Sequence, residues 1–286
     1  MCFNASIYIS LHQFTMAWSH SYGYWNTISS LEKSISSTKS NPQIMPSWII
    51  FGRGALGNAL KARIGDNALQ VAAREWLDNP TGFSSQTKAL FLAIPDDAII
   101  FSIKRIMKQN ITIPIFHCSG VTPLSDISFY PNSGIWYPMQ SFKSNSISWT
   151  DIPVFWETKN NFLKTVLEMF HKDLQIPNGL ICTSEMRGKY HLGAVFANNF
   201  MNHQIGLIKE YCSINGIDVN FFNNMILKTI KTALDGKPFE IQTGPAYRGD
   251  KATIEKHLEM LPNDMRKIYK SISDNIAEIK LKESEL

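Results

Sequence analysis

From residue 45 onward, short apolar runs alternate with amphipathic stretches. The run Trp48 to Phe51 leads into Leu56, Leu60 and Ile64 at four-residue spacing, the pattern of a strand feeding a helix. NALQVAAR (67–74) predicts a second strand. KALFLAIPDDAI (88–99) predicts a buried parallel strand closed by a Pro-Asp turn, with a helix through Ile103 and Met107 behind it. TIPIFHCSG (112–120) gives a further strand and a loop of small residues, and GIWYPMQSF (134–142) and IPVFWET (152–158) give later strands. NNFLKTVLEMFHKDL predicts a helix and GLICTS (179–184) one more short strand. Strands alternating with helices specify an α/β fold, a doubly wound parallel sheet that holds its ligand at the carboxyl edge.

Beyond Glu185 the pattern is helical only. Residues 185–214 are long enough for one helix of about eight turns at 3.6 residues per turn. VNFFNNMILKTIKTAL follows as a second helix; the loop QTGPAYRGD (242–250) leads into TIEKHLEML, and Ile268, Ile272, Ile276 and Ile279 recur at helical spacing. The expected organisation is a sheet domain over 45–184 and an all-helical C-terminal domain over 185–286. Residues 1–44 differ from both: they are serine-rich and carry no charged residue before Glu32. A secretory signal would need a basic start with a clean apolar centre, and a mitochondrial presequence would need arginines. The segment reads as a peripheral appendage or as a misplaced start ahead of Met45.

Composition narrows the classes. The net charge of +4 and the charged fraction of 18% call for neither nucleic acid nor an acidic membrane surface as a partner. The four cysteines, Cys2, Cys118, Cys182 and Cys212, form no C-x-x-C pair, which argues against a zinc ribbon and against a disulfide framework and fits a reducing cytoplasm. No apolar run reaches the roughly 18 residues of a membrane span. The expectation is a cytoplasmic protein with a small-molecule substrate and no metal.

The sharpest motif is Gly52-Arg53-Gly54-Ala55-Leu56-Gly57, a G-x-G-x-x-G set between the first strand and the first helix. In a dinucleotide cradle the first glycine makes the tight turn, the second lets backbone approach a diphosphate, and the third lets helix pack on strand. The helix N-terminus adds unpaired N–H groups and partial positive charge. Arg74, 22 positions after Gly52, stands where a cation would pair with the 2′-phosphate of NADP, while its neighbour Glu75 would favour NAD if the strand ended one residue later. The residues favour NADP over NAD, with Arg53 as a second cation in the turn. Ala93 and Pro95 after the third strand, and Ser119 and Gly120 after the fourth, are expected along the same cleft, though such small residues are also ordinary turn chemistry. His117 is expected on the sheet with a satisfied ring.

Six blocks, FGRGALG, FLAIPDDAI, FHCSGV, YPMQSF, HLGAVFANNFMNH and QTGPAYRGDKATIEKHLEML, carry a resemblance over about residues 45–286. Through them the chain resembles the bacterial Rossmann-like proteins whose C-terminal half is a domain of unknown function. These are relatives of the 6-phosphogluconate dehydrogenase, ketopantoate reductase and pyrroline-5-carboxylate reductase group. The resemblance implies an NADP-dependent oxidoreductase with a Rossmann domain and a helical domain that dimerises. It implies no particular substrate.

Hydride transfer needs a group that polarises a carbonyl or imine and a group that binds the substrate's polar end. The long helix offers His191, Asn198, Asn199 and His203. Regular helical spacing puts Asn198 with Asn202, and Asn199 with His203, one turn apart on a common face. A polar seam between helices would need the same residues. Related hydroxyacid dehydrogenases carry a lysine four residues before the asparagine; here that position is Ala194, which leaves His191 or His203 as the donor. Arg248 is a candidate clamp for a substrate carboxylate, and Asp250 either orients it or caps the next helix. Two functions remain: a reductase or dehydrogenase of a small carbonyl, imine or hydroxy acid, and a non-catalytic NADP(H)-binding sensor.

Overall fold

The computed structural model describes residues 46–79, 81, 84–143 and 148–284. The expectations for residues 1–44 lie outside it. Seven strands form one sheet in the order β2-β1-β3-β4-β5-β6-β7: β1 (Trp48–Phe51), β2 (Ala68–Val71), β3 (Ala89–Leu92), β4 (Ile115–His117), β5 (Ser133–Pro138), β6 (Val154–Thr158) and β7 (Leu180–Ile181). All pairings are parallel except β5 with β6, which is antiparallel, with Trp136 opposite Trp156. The doubly wound parallel sheet of the sequence reading thus forms, with one antiparallel pairing in it. Among the described residues between β5 and β6 there is a short 3-10 turn at Trp149–Asp151 and no crossover helix, which a parallel pairing would require.

Side chains alternate across β1. Trp48 and Ile50 face one core with Phe91, Phe116 and Trp136, against Leu163, Val166, Leu167 and Phe170 of α4 (Asn161–Leu174). Ile49 and Phe51 face the other core with Leu90 and Leu92, against Ile99, Ile103 and Ile106 of α3 (Asp96–Met107). The spacing of these α3 isoleucines is what an amphipathic helix on a sheet requires. An aromatic stack pins α4 to the sheet, with the Phe91 and Phe170 rings 3.7 Å apart and Trp48 edge-on to Phe170 at 5.0 Å. α1 (Ala55–Ile64) follows β1, and α2 (Ala73–Asp78) follows β2.

The switch point of the sheet lies between β1 and β3, since the chain steps from β1 out to β2 and then returns to the opposite side of β1. In open α/β sheets the crevice outside the carboxyl ends at such a point takes the ligand. The edge there runs from Gly52 through Ala93 and Cys118 to Met139. Strands spaced by about 4.8 Å separate the ends of β1 and β5 by roughly 14 Å.

After β7 come α5 (Ser184–Ala194), a π-helical turn (Val195–Phe200), α6 (Met201–Asn215), α7 (Asn220–Asp235), the short α8 (Pro245–Arg248), α9 (Lys251–Met260) and α10 (Asn263–Ser284). The single long helix expected over 185–214 is thus two α-helices joined by a π turn. Asp250 caps α9: its carboxylate accepts from the Thr253 N–H at 3.1 Å and the Thr253 hydroxyl at 2.7 Å. Among the described residues of these helices only Arg187, Cys212, Ala246, Met265 and Ser273 are buried.

Candidate functional site

The three glycines of the turn after β1 have different reasons to be glycine. Gly52 holds φ +129°, and a Cβ there would overlap the Ala93 carbonyl. At Gly57, a Cβ would overlap the Gly52 carbonyl, so this residue sets the approach of α1 to β1. Gly54 has ordinary backbone angles, and a Cβ on it would meet nothing within 4 Å. The fold itself therefore requires Gly52 and Gly57, whereas Gly54 faces open space. It is also the N-cap of α1, and it supplies no side chain to cap the helix; the first turn of α1 holds no acidic residue. A ten-residue helix presents its free N–H groups and dipole to that space. Arg53 and Ala55 are exposed beside it and Leu56 is half-buried below. A diphosphate fits this cradle.

The second strand ends at Val71, three residues before Arg74, which lies exposed in the first turn of α2 together with exposed Glu75. Both residues follow the carboxyl end of β2, the strand that pairs with β1. At the ends of β3 and β4, Ala93 and Pro95 and then Ser119 and Gly120 continue the edge. The Ser119 hydroxyl caps its own loop, accepting from the N–H groups of Val121 at 3.1 Å and Thr122 at 2.9 Å.

Helix α5 is fixed to the sheet through several of its side chains, beginning with Ser184, whose hydroxyl donates to Glu157. The buried Arg187 guanidinium pairs with Glu157 of β6 at 3.1 Å and donates to the Thr122 carbonyl at 2.5 Å. Tyr190 stacks on Phe155 at 4.5 Å, and one turn beyond Arg187 the His191 Nδ1 lies 2.9 Å from the Tyr137 hydroxyl. The His191 ring rests on Gly120 so closely that a Cβ at 120 would overlap it. Beyond this contact opens a cavity of about 460 Å³, lined by Tyr137, Gln140, Ser141, His191, Asn198 and Asn199 together with Met139, Ala194, Val195 and Ala197.

The structure thus gathers three of the five predicted catalytic residues, His191, Asn198 and Asn199, around one cavity. His203 does not line it. It is exposed on α6, because the π turn shifts the angular phase of all that follows and separates Asn198 and Asn199 from the residues four positions on. Arg248 ends the short α8, exposed and packed with α9 and α10 rather than on the cavity. The nearest lysine, Lys189, pairs with Glu185 at 2.6 Å on the outer face of α5. Tyr137, Gln140 and Ser141 were missed as site residues. Their only signal was the block YPMQSF, in which nothing but the position after a predicted strand points to the cleft.

His117 differs from its expected state. Its Nδ1 accepts from the Ser119 N–H at 3.2 Å, but the buried Nε2 has no partner among the described residues, nor does Nε of Arg187. Burial and, secondarily, the Arg187 charge lower the pKa of His117 from the ordinary 6.5 to about 3, so the ring is neutral. Burial likewise raises the Cys118 thiol far above its usual range, which makes it inert beside the cleft. Among the described residues no cluster of His, Cys, Asp and Glu has the form of a metal site, and no helix is long and apolar enough to cross a membrane.

A family model described as a domain of unknown function (DUF2520) matches residues 152–276. No curated protein matches the chain. Among solved structures, a Bacteroides fragilis protein described as an NADP oxidoreductase is 26% identical, with a TM-score of 0.70 over 82% of this chain and 99% of its own. A Thermotoga maritima protein is 18% identical, with a TM-score of 0.55 over 83% and 99%. An Aspergillus terreus reductive aminase, solved with NADPH and ethyl-5-oxohexanoate, shares the fold at 10% identity and a TM-score of 0.55 over 82% and 94%. This chain therefore has the architecture of the Rossmann-type reductases, with the helical C-terminal region that accompanies it in them.

Proposed function

We propose that the chain is an NADP-dependent oxidoreductase that reduces a small carbonyl or imine, or oxidises the matching hydroxy compound, in the cavity between the sheet edge and α5. One observation carries the reading. Along a single sheet edge a cradle whose central glycine faces open space lies in line with a polar cavity that holds His191. The Bacteroides fragilis relative, similar over nearly its whole length, supports the cofactor class.

When bound, the nicotinamide supplies hydride to the substrate carbon. The protein's part is to bind, orient and hand over a proton. Gly54 and the α1 N-terminus receive the diphosphate, and Arg74 and Arg53 favour the extra phosphate of NADP. Ala93, Pro95 and Ser119 leave room for the extended dinucleotide, and Gly120 leaves room for the His191 ring beside it. His191 polarises the carbonyl or imine, and Asn198 and Asn199, with Gln140 and Ser141, orient the substrate by hydrogen bonds. His203 and Arg248 are left without a role within the cavity of one chain.

The helical region supports a homodimer. Phe221, Met225, Leu227 and Leu234 of α7 are each more than 60% exposed, beside an apolar groove between α6 and α7 that includes Ile205, Ile208 and Phe222. A second copy would cover this face, and sedimentation at one chain mass of 32.4 kDa would exclude it. Three described cysteines, Cys118, Cys182 and Cys212, are free, in keeping with a reducing cytoplasm.

Calorimetry with NADPH and NADH on the intact protein and on Arg74→Ala tests the cofactor, and turnover of a panel of small oxo acids and imines tests the chemistry. Arg74→Ala is expected to weaken NADPH binding about tenfold, the size of one charge-assisted contact, and to leave NADH unchanged. Absence of heat with either nucleotide would overturn the assignment. Tight NADPH binding with no turnover would leave only a sensor.

A further inference from the structure

The reductase reading of the cavity leaves open how its proton is replenished, and the pairing of Tyr137 with His191 answers that. Tyr137 closes β5, is 8% exposed, and has its ring parallel to that of Phe155 at 6.5 Å. Its hydroxyl occupies His191 Nδ1, while no described residue bonds His191 Nε2. Both side chains line the cavity, and the contact with Gly120 fixes the imidazole plane at the end of β4. Of the charged groups nearby, Arg187 on α5 favours the phenolate and Asp96 at the start of α3 opposes it, while burial holds the phenol above its ordinary range. The titratable groups around the pair are His117 and Cys118 at the end of β4, Glu157 on β6, committed to Arg187, Cys182 packed in the same buried cluster as Tyr137, and Tyr190 stacked on Phe155.

We propose that Tyr137 and His191 form a proton relay. The Nε2 proton of His191 passes to the oxygen or nitrogen of the substrate as its carbon accepts hydride, and the Tyr137 hydroxyl proton moves to Nδ1. The substrate π bond breaks, one C–H and one O–H or N–H bond form, and a reduced nicotinamide is oxidised by two electrons. His191 stays neutral, having lost a proton at one nitrogen and gained one at the other. The phenolate, disfavoured by burial with a partial offset from the Arg187 charge, then takes back the Nδ1 proton while Nε2 gains one from water in the cavity, which restores the resting ring. Tyr137 acts through His191 and is a positioning and relay residue; His191 is the catalytic residue.

The test uses the full chain labelled with ¹⁵N-histidine, with the His191 signals assigned through His191→Gln. Imidazole NMR is expected to show His191 protonated on Nε2, with Nδ1 accepting a hydrogen bond that Tyr137→Phe removes. A proton on Nδ1 instead would overturn the relay. The rate of NADPH oxidation with 2-methyl-1-pyrroline gives a second readout. Tyr137→Phe is expected to lower kcat about tenfold or more while KM and NADPH affinity stay unchanged, the pattern of a group that acts only as the proton moves. A raised KM with kcat unchanged would reduce Tyr137 to a structural prop and sink the proposal. NADPH bound without turnover of this imine or of a matching ketone would remove the catalytic role from the pair while leaving the cofactor site standing. Failure to bind NADPH would instead overturn the reductase reading itself.

Discussion

At Gly54 a side chain would collide with nothing in the protein, so whatever requires glycine there comes from outside the chain. Gly54→Val should leave the melting temperature close to that of the parent and weaken NADPH about tenfold or more, since one branched side chain displaces the diphosphate from the helix N–H groups. Gly52→Ala should behave in the opposite way. The added methyl meets the Ala93 carbonyl at a φ of +129°, so unfolding should become easier by about 3 kcal/mol, with loss of NADPH binding following from loss of fold. Paired thermal melts and NADPH titrations check both, and a Gly54→Val protein that binds NADPH normally would end the cradle assignment. The motif was legible because its three glycines are close in sequence, and the pattern already gives the first to the turn, the second to the diphosphate and the third to helix packing. The Ala93 and Gly52 carbonyls supply the physical reason for the first and the third. Tyr137 was illegible for the opposite reason: its partner His191 lies 54 residues away, beyond any local pattern.

Among the elements, the α5–π–α6 segment decides what faces the cavity. Apolar periodicity gave most strands and helices of the sheet region, because they bury a face as Ile99, Ile103 and Ile106 do, but it read residues 73 and 74 as the end of the second strand where α2 begins. The same rule failed along 185–214, where most side chains are exposed in the single chain and no buried stripe fixes the phase. Counting 3.6 residues per turn through Val195–Phe200 therefore paired Asn199 with His203. The wider π turn instead brings Asn198 and Asn199 to the cavity and carries His203 away. Deleting Ala197 removes the extra residue that a π turn accommodates. Circular dichroism should then show retained helix content and calorimetry retained NADPH affinity, while imine turnover falls about a hundredfold, the effect of displacing positioning groups by about an ångström. Undiminished turnover would show that the two asparagines do not orient the substrate.

Across the whole molecule, the sheet region carries a complete core on both faces, whereas the helical region exposes the apolar surface it would bury against a second copy. Acid sensitivity should accordingly originate in the sheet region, where two buried histidines are held neutral. His117 is wholly buried, with its pKa lowered to about 3 by burial and then by Arg187. His171 is 1% exposed within the aromatic core, accepts from the Trp136 indole at 2.8 Å, and is lowered to about 4, chiefly by burial. Both folded values lie below the unfolded 6.5. The native state therefore binds fewer protons than the unfolded chain as pH falls, so the stability these rings contribute is intact above pH 6.5 and is lost progressively on the way down toward 4 and 3. Between pH 7 and pH 5 each histidine should remove about 2 kcal/mol. Urea unfolding of the intact chain across that range measures the slope. His171→Gln, which keeps an amide acceptor for the indole, should flatten it by about half while lowering stability at neutral pH through imperfect packing. A slope unchanged by His171→Gln would mean that the ring already holds a proton in the native core, and the neutral Trp136–His171 bond would have to be redrawn.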